Sequence, residues 1–297
     1  MKSFFTALTV AAAAVSVAAS PIKRAPSDTD ILQYALTLEH LENAFYSGAL
    51  AQFDEDAFSD AGYEDWVRGR FEQIAEHEAA HVAFLSGALG SAATKPCTYN
   101  FPYTDVQSFA ALSATLEGVG VSAYLGAAQY IKTPAYLTAA GAVLTTESRH
   151  QAWVNSAVNH LNPWSGALDT PLDLDQVYTL AAGFITSCPS TNPALPVKAF
   201  PAFTYEAKDD LHAGSKVKIT SKLPGDKKLH VAFFNGLSTL YAPIEHDEVK
   251  LPEGLAGTVY AVITSSDSAV SDDNTVAGPA IFTIPVPATR HREDADE

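Results

Sequence analysis

The chain has 297 residues, 47% of them apolar, and a net charge of -16. The apolar content excludes general disorder, and the length leads us to expect two domains rather than one small core. The negative charge argues against nucleic acid and anionic membrane as partners, since both would repel such a surface, but it leaves cations attractive.

Residues 1–19 carry Lys2, an apolar run from Phe4 to Ala19 and small residues at its end, which reads as a secretory signal peptide. Residues 20–27 read as a linker or propeptide, with Lys23-Arg24 either a second processing site or two solvated charges. No later apolar run reaches the ~18 residues of a membrane helix, so the expectation is a secreted protein, extracellular or in the cell wall. In an oxidising compartment the only two cysteines, Cys97 and Cys188, would pair in one disulfide.

From Asp28 to Leu50 apolar residues recur at helical spacing behind a Ser27 or Asp28 cap, predicting a first helix. Residues 51–60 are polar and acidic, and Tyr63–Leu89 form a second helix closed by Gly90. After a loop over 91–104, Asp105–Tyr130 reads as a third helix rich in Ala and Gly. Thr133-Pro134 opens a fourth that runs to about His160 and stops at Asn162-Pro163. Asp173–Ser187 reads as a shorter fifth helix, so 28–188 is expected to be one helical domain. Past a Pro-rich linker over 189–198, residues 199–287 hold seven short β-type runs: 200–205, 216–221, 230–234, 237–241, 249–251, 258–264 and 280–285. Turn residues lie between most of them. They predict a small antiparallel sandwich, immunoglobulin-like in its strand number. Residues 288–297 read as a disordered, charged tail.

The helical half contains an internal repeat. Thr37-Leu38-Glu39 returns as Thr115-Leu116-Glu117, each Glu is followed seven residues on by a tyrosine, Tyr46 or Tyr124, and each copy is followed by Glu-x-x-His, first Glu78 and His81, then Glu147 and His150. At about 100° per residue, each Glu lies in the middle of an apolar stripe. Leu32, Ala35 and Leu36 flank Glu39; Phe71, Ile74 and Leu85 flank Glu78; Ala110 and Ala114 flank Glu117; Val143, Leu144 and Val154 flank Glu147. Four converging buried carboxylates repel one another unless protonated or neutralised. Arg68, Arg70 and Arg149 fall outside the stripes, so a metal is the simplest counter-charge. Each His at i+3 lies only about 60° round the helix from its Glu, near enough to serve the same centre.

Glu42, three residues after Glu39, is read as a neighbour of the ligands rather than a ligand, because its counterpart in the repeat is Gly120. Tyr46 and Tyr124 either hydrogen-bond ligand carboxylates or pack in the core. His40 and His77 point about 100° from their neighbouring ligands and read as structural, and Glu72 and Glu76 as a solvated face.

This pattern resembles the ferritin-like di-iron carboxylate superfamily, in which two helices each give a Glu and two others each give Glu-x-x-His. Leu-Glu-His-Leu-Glu-Asn-Ala-Phe-Tyr (38–46) and Glu-His-Glu-Ala-Ala-His (76–81) make the chain similar to fungal secreted ferritin-like stress-response and late sexual development proteins. The resemblance implies a four-helix bundle binding two iron ions, or manganese, through Glu39, Glu78, His81, Glu117, Glu147 and His150. It also implies O2 or peroxide as co-substrate in an oxidase, ferroxidase or peroxidase reaction. A non-catalytic reading stands beside it: a wall or cell-surface stress protein whose bundle is a scaffold or sequesters metal, and whose β-domain contacts a wall or protein partner. No catalytic residue beyond the metal set is assigned.

Overall fold

The computed structural model describes residues 25–225 and 228–286. The expected signal peptide, the Lys23-Arg24 pair and the tail over 288–297 lie outside the described residues. Four long helices carry the repeat: α1 (Asp28–Gln52), α3 (Trp66–Leu89), α4 (Val106–Ala127) and α5 (Pro134–Trp153), with a short α2 (Glu55–Asp60) and α6 (Leu174–Ala182) beside them. Their starts follow from the sequence. Ser27 accepts the Asp30 N–H while Asp30 accepts the Ser27 N–H, Asp105 and Ser108 do the same for α4, and Pro134 stands at the first turn of α5.

Several local expectations need correction. Residues 51–60, polar and acidic in sequence and assigned to no element, include a helix: Asp54 caps α2 by accepting the Ala57 N–H, and α2 buries Phe58 against Phe71 and Phe109. Past Trp153, α5 widens into a π turn, Val154–Val158, closed by Asn159 N–H to Val154 O at 2.9 Å. The fifth helix stops at Ala182 rather than Ser187. Beyond Gly183, the β-branched Ile185 and Thr186 leave the helix and form β2 (Ile185–Ser187) against β1 (Thr98–Tyr99). The Cys97–Cys188 disulfide closes that ladder.

The C-terminal half is antiparallel throughout. One sheet orders β3 (Tyr205–Glu206), β4 (Lys216–Ile219) and β7 (Glu248–Lys250). The other orders β6 (Ser238–Pro243), β5 (His230–Asn235), β8 (Gly257–Thr264) and β9 (Thr275–Ile284). Val217, Ile219 and Val249 from the first sheet share one core with Val231, Phe233, Val259 and Phe282 from the second, so the two sheets form a sandwich. Of the run expected over 200–205, only Tyr205 pairs. Pro201 has no N–H to give, and the Phe200 N–H goes to Thr179 Oγ1 at 2.9 Å.

The larger helical core includes Phe45, Phe71, Phe109 and Val154, and Tyr260 of β8 enters it. Ala35, Leu36, Leu85, Tyr124 and Val143 form a smaller cluster. These come from the first third of α1, the middle of α5 and the last turns of α3 and α4, which places the start of α1 beside the end of α4 and makes those two helices antiparallel. No helix among the described residues is long and apolar enough to cross a membrane.

Candidate metal centre

The four helices bring all six repeat-derived side chains together. Glu39, Glu78, His81 and Glu147 form one group and Glu78, Glu117, Glu147 and His150 another, the donor atoms of each lying within 4.8 Å of one another. Glu78 and Glu147 belong to both groups. Each group then has its own glutamate, Glu39 or Glu117, and its own histidine, His81 or His150. The four glutamates are buried.

Both histidines present Nδ1. That of His81 lies 3.2 Å from Glu39 Oε2, Glu78 Oε2 and Glu147 Oε1; that of His150 lies 3.2 Å from Glu117 Oε2 and 3.3 Å from Glu78 Oε1. The opposite nitrogen of His150, Nε2, is 2.9 Å from His77 Nδ1, and the two rings stack at 5.2 Å. With Nε2–H donating to His77, the His150 Nδ1 lone pair faces the carboxylates, the tautomer a metal ligand needs. His77, read as structural because it lies about 100° from its neighbouring ligand, has a more specific place: its ring turns back along the helix surface to reach His150. His40 is buried, with Nε2 3.0 Å from Thr94 O.

The two tyrosines cross over. Tyr46, from the first copy of the repeat, donates to Glu117 of the second, and Tyr124 donates to Glu39. Ser113 Oγ lies 2.7 Å from the Tyr46 oxygen. Sequence alone pairs Tyr46 with Glu39 as companions in one copy. The antiparallel course of α1 and α4 instead sets position +7 of each helix beside the Glu of the other.

The midpoint of that crossing is Glu42 opposite Gly120. A Cβ on Gly120 would come within 3.0 Å of Glu42 Oε1 and 3.2 Å of Glu147 Oε2, so the absent side chain leaves room for both carboxyls. Glu42 is buried beside the two groups but belongs to neither.

Burial raises the carboxyls of Glu39, Glu42, Glu78 and Glu117 above their ordinary range, and neighbouring glutamates, Glu147 above all, push the same way. Burial alone would lower His81, but hydrogen bonds to Glu147, Glu39 and Glu78 raise it to about 12. Glu147 Oε2 is buried without a hydrogen-bond partner, and Glu78 Oε1 and Glu147 Oε1 meet only a histidine nitrogen, at 3.3 and 3.2 Å. Buried carboxylate oxygens in that condition are costly unless cations meet them. Four carboxylates and two imidazoles, with two carboxylates common to both groups, suit a pair of ions such as iron or manganese that accept both oxygen and nitrogen donors.

A cleft of about 440 Å³ reaches the histidine side between α3 and α5, lined by His77, His81 and His150 and by Arg70 and Arg149. Among the described residues no carboxylate lines it.

Residues 27–160 match the family described as Ferritin-like domain. Protein rds1 of Schizosaccharomyces pombe (strain 972 / ATCC 24843) is 28% identical over 185 residues, 62% of this chain and 46% of that protein. The chain thus spans about half the length of that relative.

Proposed function

We propose that the helical half of the chain, whose residues 27–160 match the Ferritin-like domain family, holds two metal ions, iron or manganese, and that the protein is an exported oxidoreductase of the oxidase or peroxidase kind. The observation that carries this is the sharing of Glu78 and Glu147 between two otherwise separate donor groups, each completed by its own glutamate and histidine. Glu39, Glu78 and His81 with Glu147 hold one ion; Glu117, Glu147 and His150 with Glu78 hold the other. When bound, such a pair supplies one- or two-electron redox chemistry towards O2 or peroxide.

The chain's own residues set the terms of that chemistry. Tyr46 and Tyr124 orient the two unshared glutamates, and His77 holds the His150 tautomer. The cleft favours turnover over storage. Arg70 and Arg149 at its wall oppose a flux of cations and admit a small neutral or anionic co-substrate. Residence outside the cytosol is supported by the disulfide between Cys97 and Cys188.

Metal analysis of the purified protein is expected to find two ions of iron or manganese per chain, and none in a Glu78→Ala, Glu147→Ala double variant. Neither metal in the native protein, and no uptake by the metal-free protein, would overturn the proposal. Loss of metal in the double variant with unchanged consumption of O2 or peroxide would remove the catalytic part and leave sequestration.

A further inference from the structure

A second cleft, of about 640 Å³, lies where the sandwich docks on the bundle, between α4, α5 and the strands β8 and β9. Its volume falls within the roughly 300–1,000 Å³ of small-molecule sites. Among the described residues no Asp, Glu, Lys or Arg lines it. Ionic ligands such as nucleotides, phosphates or carboxylates would meet no ammonium or guanidinium group there among the described residues, only the imidazole of His160.

A wholly apolar ligand fits no better. Gln151, Asn155 and Asn162 line the cleft as half-buried residues, and their side-chain amides neither donate to nor accept from another described residue. Covering them with hydrocarbon would leave donors and acceptors unpaired. Each amide offers both a donor and an acceptor, the combination that matches a hydroxyl group.

Trp164 also lines the cleft and is 69% exposed, an unusual setting for so large an apolar ring. Its position is nevertheless fixed. The next residue, Ser165, accepts the Thr258 N–H of β8 at 2.9 Å, and further along the same segment Thr170 Oγ1 accepts the Gly236 N–H at 2.8 Å. The segment therefore presents an indole face from a strap tied to the sandwich.

We propose that this interdomain cleft binds a neutral polyhydroxylated ligand, a short oligosaccharide, with a sugar ring against Trp164 and its hydroxyls on Gln151, Asn155 and Asn162. An aromatic face takes the C–H surface of the ring while planar amides take its hydroxyls. The cleft contains none of the six side chains of the metal centre, so the two proposals stand apart.

The test uses the full chain and three uncharged probes: tetrasaccharides of β-1,3-linked glucose, β-1,4-linked N-acetylglucosamine and α-1,4-linked glucose. Calorimetry and tryptophan fluorescence are read before and after removal of metal with a chelator. At least one probe is expected to bind saturably, equally with and without metal. Trp164→Ala, whose side chain is mostly in solvent, is expected to weaken binding tenfold or more with an unchanged thermal midpoint, and Asn155→Ala with Asn162→Ala to do the same. The proposal fails if no probe binds, if both variants bind like the native chain, or if a sulfated tetrasaccharide binds more tightly than its neutral counterpart.

Discussion

At neutral pH the side chains gathered between α1, α3, α4 and α5 cannot all carry their ordinary charges. Burial raises four of the carboxyls, and their partners hold His81 protonated up to about 12. A metal ligand must be deprotonated, so loading has to expel the His81 proton together with any carboxyl protons. Anaerobic addition of Fe(II) or Mn(II) to the metal-free protein in weak buffer at pH 7 is thus expected to release at least one proton per chain. Apparent affinity should rise with pH. An indicator dye that registers no release would mean that His81 is not displaced from its proton by metal. The six convergent residues were legible in the sequence because each Glu interrupts an apolar stripe, which buries it whatever the details of packing. His77 and the exchange of tyrosine partners were not. A side chain 100° off the stripe still has the reach to curl back, and which glutamate a tyrosine meets depends on the relative direction of two helices, which no single stretch encodes.

Among the elements, α6 shows how a good local signal carries a hidden cost. Asp173 caps it by accepting the Gln176 N–H at 2.8 Å, yet burial, with help from Asp272 and Asp175, raises its carboxyl to about 6. The native state therefore binds the Asp173 proton more tightly than the unfolded chain does. The resulting stabilisation is complete below about pH 4 and is lost as pH rises through about 6; over that window it amounts to about 3 kcal/mol, with ~1.4 kcal/mol for each pKa unit. Asp173→Asn keeps an equally good cap. The variant is expected to be more stable than the native protein at pH 7 and to lose the decline between pH 4 and 6, measured by denaturant titration at both pH values. A variant less stable at pH 7 would show that the charged form of Asp173 is favoured by the fold. Element types were readable from periodicity and caps, while the end of α6 was not. Ile185 and Thr186 continue an apolar pattern that a helix could use, and it is the partner strand at Thr98–Tyr99, 86 or more residues earlier, that makes them extended.

For the whole molecule, the decisive contact is Tyr260. It belongs to β8, but its ring joins the helical core and its hydroxyl donates to Gly118 O at 2.9 Å, one residue from Glu117. Phe234 and Ile281 pack on the same core. Bundle and sandwich are therefore expected to melt in a single calorimetric transition. Tyr260→Ala, which loses a large buried ring at a cost of about 3–5 kcal/mol, should split that transition in two. Two transitions already present in the native chain would show that the domains are thermally independent. The crossed pairs Tyr46–Glu117 and Tyr124–Glu39 carry a related consequence. Each hairpin brings a histidine to its own glutamate but borrows the tyrosine hydroxyl that completes its setting from the other. During synthesis the N-terminal hairpin thus emerges as an incomplete chelator, and ordered capture of metal must wait until α4 has been made and docked, so that a finished centre certifies a finished bundle.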